Sequence, residues 1–215
     1  MGERKERYLA GDRGIFSRTL YRLGIRFPLI TTARNNYEMA RATFFLETYQ
    51  ELLRRLGKDF IPGERLLEIG VGPGFLAAAF QETGLEVVAT EICFPPQDCA
   101  FQNRLVVSRL PLPFTDDCFD YVSLTSVLHH IPTKQQVQWL KEAQRILKPR
   151  GLLLVQEDER GINFFNHFLI RAIDSAVSGP EANSHRTLPE WEQLFSKLGL
   201  EPKTTKIVTH QAGPF

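Results

Sequence analysis

Three glycines at alternate positions and two nearby acids are the residues of this 215-residue chain best suited to chemistry. Gly70, Gly72 and Gly74 follow a short apolar run, and glycines there permit a tight turn and let a ligand lie against bare backbone. Glu68 lies inside that run, and Glu91 follows 23 residues later, at the end of a second run. A carboxylate beside the loop attracts an ammonium group and repels phosphates, whereas one at the second position can accept hydrogen bonds from both hydroxyls of a ribose. The three glycines and the two acids together predict a ligand with a ribose, an amino group and no phosphate.

Two other nucleotide-binding loops fit this stretch less well. A P-loop has the pattern GxxxxGK[ST], and no lysine follows these glycines. A dinucleotide loop has the pattern GxGxxG, and its third glycine would stand where this chain has Phe75, a side chain that would crowd a diphosphate at the start of the following helix. S-adenosylmethionine, which has the ribose and the amino group without the diphosphate, fits better. The alternative is an ordinary turn between a strand and a helix, with glutamates on the surface.

Short apolar runs alternate with helical patterns after Pro62, and these elements must position the glycine loop. The predicted strands are RLLEIG (65–70), EVVATEI (86–92), RLVVSR (104–109), YVSLTSV (121–127), GLLLVQE (151–157) and TKIVTH (205–210). The first predicted helix spans 35–56, with Asn35 as its cap and Gly57 as its stop, and the second spans 74–83. The third runs from Thr133 to about 149, with a capping box to Gln136, and the last begins at Thr187, with Glu190 three residues on. This alternation predicts an α/β fold: a three-layer, doubly wound, mostly parallel sheet with an N-terminal helical extension.

The composition excludes several classes of function. Lys and Arg number 26 against 25 Asp and Glu, a net charge of +1, so no nucleic-acid partner is expected. No apolar run reaches the roughly 18 residues of a membrane span, so no stable membrane insertion is expected. Cys93, Cys99 and Cys118 lack zinc-site spacing, and we expect reduced thiols, no bound metal and a cytoplasmic protein.

Four segments in order resemble the class I, Rossmann-like, S-adenosylmethionine-dependent methyltransferases, over residues ~62 to ~200. They are LLEIGVGPG, VVATEI, LPLPFTDDCFDYVSLTSVLHHI and EAQRILKPRGLLLVQE. The resemblance implies a methyltransferase that binds its cofactor through Glu68, Gly70, Gly72, Gly74, Glu91, Ser108 and Thr125. Ser108 stands where the family often has an acid that contacts adenine. The family sheet usually ends in an antiparallel strand, and here that strand is either missing or replaced by another segment.

His129 and His130 follow the fourth predicted strand, whose carboxyl end should face the cofactor crevice. The resemblance implies that the first histidine of such a pair faces the transferred methyl group and that the second is structural. His129 is therefore the candidate catalytic residue, either as a general base or as a group that orients the acceptor. The alternative for both is a hydrogen-bonded structural histidine.

Acceptor selectivity should come from segments outside the core of the cofactor-binding domain, a domain that we place at 59–215. One is the N-terminal helical extension, residues 1–58, whose basic amphipathic start (1–26) we expect to act as a lid. The other is an aromatic-rich segment at 161–186. Its apolar side chains favour a small, partly hydrophobic acceptor, unless they simply pack on the sheet. A protein or RNA methyltransferase and a non-catalytic S-adenosylmethionine-binding module are the alternatives, and the oligomeric state stays open.

Overall fold

The structure is a computed structural model that describes residues 28–92, 99–101, 103–157 and 184–206, with side chains from residue 35 onward. Its helices are α1 (Pro28–Arg55), α2 (Phe75–Glu82), α3 (Thr133–Ile146) and α4 (Leu188–Lys197). Its strands are β1 (Arg65–Ile69), β2 (Glu86–Glu91), β3 (Leu105–Val107), β4 (Phe119–Thr125) and β5 (Leu147–Gln156). The strands form one parallel sheet in the order β3-β2-β1-β4-β5. In these ranges, no helix combines the length and the apolar character that crossing a membrane requires.

Both faces of the sheet are covered, which confirms the three layers. Leu66 and Leu67 are neighbours on β1, so their side chains point to opposite faces, yet both are fully buried. Leu66 packs in a cluster with α1 and α2, whereas Leu67 packs with α3 and α4. Strands buried on both sides read as continuous apolar runs, and this is why β1 was visible in the sequence.

Helix α1 is part of the core. Ala42, Phe45, Tyr49 and Leu53 lie on one side of it, are all buried, and pack against the same sheet face as Phe80 of α2. The helix begins at Pro28 and not at Asn35, so Asn35 lies in its interior and does not cap it. Gly57 ends it as predicted, with φ at 68° and its N–H bonded to Arg54. The lid function of the extension stays a prediction.

Several predicted boundaries differ from the observed ones. β5 begins at Leu147, four residues early, because the chain extends and pairs Leu147 with Phe119 across a register shift. Pro132, not Thr133, precedes α3, and no side-chain cap forms there, whereas the capping box of Thr187 and Glu190 is present. β3 is shorter than predicted and β4 lies two residues earlier. Residues 205–206 of the predicted sixth strand are not in a strand, and 207–210, like 1–27, 93–98 and 158–183, lie outside the described residues.

Candidate functional site

The glycine loop lies at the point where the strand order reverses. β1 is flanked by β2 on one side and β4 on the other, and at such a switch point the carboxyl ends of the strands open a crevice for a ligand. The loop connects β1 to α2, and the N–H groups of Gly70 and Val71 donate to the carbonyl of Thr90 on β2. The loop is thereby fixed to the neighbouring strand.

The three glycines are required for different reasons. All have positive φ: 79° for Gly70, 51° for Gly72 and 82° for Gly74. A Cβ at Gly70 would lie 2.6 Å from Val127 Cγ2, and one at Gly74 would lie 2.6 Å from the backbone nitrogen of Phe101. A Cβ at Gly72 would meet nothing within 4 Å. Gly70 and Gly74 therefore serve packing, and Gly72 leaves bare backbone beside open space.

Glu91 is held beneath the loop at the end of β2. Its Oε2 accepts a hydrogen bond from the Gly72 N–H at 3.2 Å, and its Oε1 accepts one from the Ile92 N–H at 2.8 Å. Ser108 lies next to it, because its N–H donates to the Glu91 carbonyl. The half-buried hydroxyl of Ser108 donates to the carbonyl of Arg109. The structure thus brings Gly72, Glu91 and Ser108 together at one edge of the crevice.

Glu68 is a buried acid in the middle of the sheet. Its side chain is 3% exposed, and its Oε2 has no hydrogen-bond partner in the described part of the chain. Burial, and then the charge of Glu91, raise its pKa to about 8. The unliganded carboxyl is therefore mostly protonated at neutral pH, and its unsatisfied oxygen is costly unless a ligand supplies a donor.

A hydroxyl network adjoins Glu68. Ser123 of β4 is its register partner across the sheet, and the Ser123 hydroxyl bonds that of Thr125 at 2.9 Å. The Tyr49 hydroxyl, from α1, lies 2.7 Å from the Thr125 Oγ1. Burial raises the pKa of Tyr49 above its ordinary value, so this phenol stays protonated. Thr125, predicted to bind the cofactor, is thus tied to α1 through its hydroxyl.

The turn after β4, residues 126–130, includes a short 3₁₀ helix at Leu128–His130 and is here called the β4 turn. Glu157, directly after β5, accepts hydrogen bonds from the backbone N–H groups of Val127 and Leu128 on Oε1, and from the N–H of His129 on Oε2. His129 Nδ1 lies 2.6 Å from Glu157 Oε2. Val127 is the residue that packs against Gly70, so the β4 turn and the glycine loop touch.

The two histidines differ in exposure, and only the expectation for His130, assigned above as the structural histidine, is contradicted. His129 is 3% exposed and His130 is exposed to solvent, so the prediction that His130 turns toward the protein is wrong. The cause is Glu157, which draws the His129 ring inward. The His185 ring stacks on it, with centroids 4.7 Å apart and planes 11° apart. The role of His129 in methyl transfer stays a prediction.

The carbonyl groups of the β4 turn are bonded as well. Gln136 of α3 is fully buried, and its Nε2 donates to the carbonyls of Leu128 and Ser184. The Ser184 N–H donates to the His129 carbonyl, and Arg186 Nε donates to Gln136 Oε1. The turn is therefore fixed from α3, from β5 and from the chain at 184–186.

Tyr49, Gln136 and Glu157 were not recognised in the sequence. Tyr49 was seen as one of the apolar positions of a helix, and its hydroxyl gave no signal. Gln136 was assigned to a capping box, whereas its side chain bonds backbone carbonyls across the β4 turn. Glu157 is an acid that ends an apolar strand beside the sheet switch point, the pattern by which Glu91 was found, so its position was a usable signal.

Similar proteins show a family match over part of the chain and a common fold. Residues 67–155 match the family described as "Methyltransferase domain". The chain is 35% identical over 109 residues to probable tRNA methyltransferase 9B of Homo sapiens, over 48% of this chain and 23% of that protein. It is 26% identical over 143 residues to demethylmenaquinone methyltransferase of Renibacterium salmoninarum, over 60% of each. The chain thus spans less than two thirds of either relative.

One solved structure of similar fold is that of 1,6-didemethyltoxoflavin-N1-methyltransferase from Burkholderia thailandensis, with bound 1,6-didemethyltoxoflavin and S-adenosylhomocysteine. The TM-score is 0.53 at 20% identity, over 78% of this chain and 71% of that one. The family match covers β1 to β5, and the parallel sheet carries the glycine loop at its carboxyl edge. Residues 67–155 are thus similar to a methyltransferase domain, and the parallel sheet that they form has the Rossmann-like fold of the solved methyltransferases.

Proposed function

We propose that this protein transfers a methyl group from S-adenosylmethionine to a small, partly apolar acceptor. The observation that carries the proposal is the buried Glu68 carboxyl, whose Oε2 has no hydrogen-bond partner among the described residues and which lies in the strand leading to the open backbone of Gly72. S-adenosylmethionine has an ammonium group to offer Glu68 and a ribose to offer Glu91. These groups fit the residues that the crevice presents.

Five of the predicted cofactor residues have a role in this proposal, whereas Gly70 and Gly74 serve the packing of the loop. Glu68 pairs with the ammonium group, and Gly72 allows the ligand to approach the backbone closely. Glu91 accepts hydrogen bonds from the ribose hydroxyls, since each carboxylate oxygen has two lone pairs and its bonds to Gly72 and Ile92 use only part of that capacity. Ser108 lies beside Glu91, and we assign it the contact with adenine. Thr125 supports the site through Ser123 and Tyr49.

The chemistry depends mainly on position. S-adenosylmethionine, when bound, supplies a methyl group on a positive sulfur, which is already a strong electrophile. The chain has to align the acceptor with that methyl and to exclude water from the crevice. A general base is needed only where the acceptor must lose a proton early. Because His129 is buried and hydrogen-bonded to Glu157, we propose that it orients the acceptor, in preference to acting as a general base.

A small acceptor is favoured by the charges at the crevice. Glu91 and Glu157 lie at the carboxyl ends of β2 and β5, and carboxylates there repel a polyanion. The names of the demethylmenaquinone and didemethyltoxoflavin enzymes support small acceptors. The similarity to a probable tRNA methyltransferase favours RNA as the second candidate. We also propose that the protein is cytoplasmic and that its thiols are reduced.

The test is an acceptor screen. The protein is incubated with S-adenosylmethionine and, separately, with small phenols, quinols, amines and unmodified tRNA, and methylated products are identified by mass. Gly72→Val is the control, because its side chain would fill the space of the ligand. We expect S-adenosylhomocysteine and a mass gain of one methyl group on a small acceptor, both absent with the control. Methylation of tRNA alone would establish the second candidate, and binding of NAD without S-adenosylmethionine would refute both.

A further inference from the structure

One carboxylate organises the β4 turn. Glu157 receives four donors: the backbone N–H groups of Val127, Leu128 and His129, and the ring Nδ1 of His129. Both Glu157 and His129 are nearly inaccessible, with 3% and 4% of their side chains exposed. A buried carboxylate with this many donors holds its neighbours in one geometry, because any other arrangement leaves charge unsatisfied.

This arrangement also determines where the proton of the His129 ring lies. The backbone N–H groups can only donate, so the Glu157 oxygens that they share act as acceptors. An ionised Glu157 has no proton to give, so His129 Nδ1 then donates to it, at 2.6 Å. A neutral imidazole that donates through Nδ1 has a lone pair on Nε2. The stacked His185 ring sets the plane of the His129 ring, so its in-plane direction and its plane are both fixed.

The β4 turn also contacts the glycine loop and helix α1. Val127, whose N–H bonds Glu157, packs on Gly70 of the cofactor loop. Ser126 adopts a left-handed conformation with φ of 54°, and its N–H and hydroxyl both donate to Gln156. The Ser126 hydroxyl in turn accepts a hydrogen bond from Arg41 of α1 at 3.3 Å. Movement of the turn would therefore alter the loop that faces the cofactor.

We propose that Glu157 is a positioning residue for methyl transfer: it fixes the β4 turn and holds His129 as the tautomer protonated on Nδ1, with Nε2 as a hydrogen-bond acceptor for the methyl acceptor or for a water that it binds. The proposal rests on the proposed function for the identity of the reaction. The tautomer and the geometry of the turn are independent of it.

The first test is independent of activity. Side-chain ¹⁵N NMR of the histidines, with His129 assigned by its substitution, reports which ring nitrogen carries the proton. We expect a protonated Nδ1 in the parent protein. Glu157→Gln places an amide that donates toward the ring, so the proton should move to Nε2. Glu192→Gln is the matched control, since Glu192 is exposed on α4 and its substitution should leave the spectrum unchanged. A His129 ring protonated only on Nε2 in the parent, or unaltered by Glu157→Gln, overturns the proposal.

The second test separates positioning from folding. Asn at position 129 keeps a donor where Nδ1 lies and removes Nε2, and urea unfolding of His129→Asn shows whether the variant is folded under the assay conditions. With the phenol, quinol and amine panel, His129→Asn and Glu157→Gln should lower the turnover number at least about ten-fold, while the dissociation constant for S-adenosylmethionine changes by less than about three-fold. Full turnover in His129→Asn overturns the proposal. If the parent binds no S-adenosylmethionine, the proposed function fails, and the NMR result still decides on Glu157.

Discussion

The buried Glu68 should make the unliganded protein less stable as pH rises. Burial raises its pKa from 4.5 to about 8 in the folded chain, whereas the unfolded chain keeps the ordinary value. Between these values the folded state binds more protons than the unfolded state, so the free energy of unfolding falls as pH increases through that window. Each pKa unit corresponds to about 1.4 kcal/mol, which gives an upper limit of roughly 5 kcal/mol over the whole window and about 2 kcal/mol between pH 6 and pH 8.

Glu68→Gln is the matched perturbation, because it keeps the shape of the side chain and removes its titration. Urea unfolding of both proteins at pH 6, 7 and 8 gives the two pH slopes. We expect the parent to lose about 2 kcal/mol more than the variant between pH 6 and pH 8. Parallel slopes would refute the reasoning, since they would mean that Glu68 is already ionised without a ligand.

Binding of the cofactor should reverse the protonation of Glu68. At pH 7, a carboxyl whose pKa is about 8 is about nine-tenths protonated, and pairing with an ammonium group ionises it. Calorimetric titration with S-adenosylmethionine in buffers of different ionisation enthalpy should therefore report release of about 0.9 proton at pH 7. Glu68→Gln should release none. Equal proton release by the two proteins would place the ammonium group elsewhere.

Three further substitutions test the remaining parts of the site. Glu91→Ala should weaken S-adenosylmethionine binding by ~1.5–3 kcal/mol in calorimetry, because charged hydrogen bonds to the ribose are lost, and an unchanged affinity would remove it from the site. Tyr49→Phe should lower the free energy of unfolding by about 1 kcal/mol through the lost bond to β4, whereas Tyr37→Phe, on an exposed side chain, should not. Gly74→Ala should lower the melting temperature more than Gly72→Ala, whose main loss should be in cofactor affinity, and the reverse order would contradict the packing described.

Much of the sheet was predictable because its strands are buried on both faces. β1 and β2 were placed within one residue, since a continuous apolar run has no competing interpretation at that length. β5 was placed four residues late because Pro149 and Gly151 look like a helix stop, and pairing with β4 extends the strand through them. Residues such as Pro149 and Gly151 indicate only the local preference of the backbone, whereas the length of a strand also depends on the strand with which it pairs.

The site residues that follow from a local pattern were predicted, and those that depend on distant contacts were not. The glycine loop was found because its function requires a local spacing, and Glu91 because it ends the next strand. His130 was wrongly expected to be the structural histidine, because Glu157, 28 residues from His129 along the chain, bonds the His129 ring instead. The burial of the Tyr49 hydroxyl likewise depends on Thr125, 76 residues away. Neither contact leaves a local pattern.

The packing of α1 has a consequence for the smallest piece of this chain that can fold. The family match begins at residue 67, yet Phe45 and Leu53 of α1 cover the same sheet face as Leu66 and Phe80. A fragment cut at the limits of the match would leave that face bare to water, which favours aggregation. The family match and the cooperative folding unit therefore begin at different residues. The folding unit includes α1 at least from Ala42, where the buried side of the helix begins.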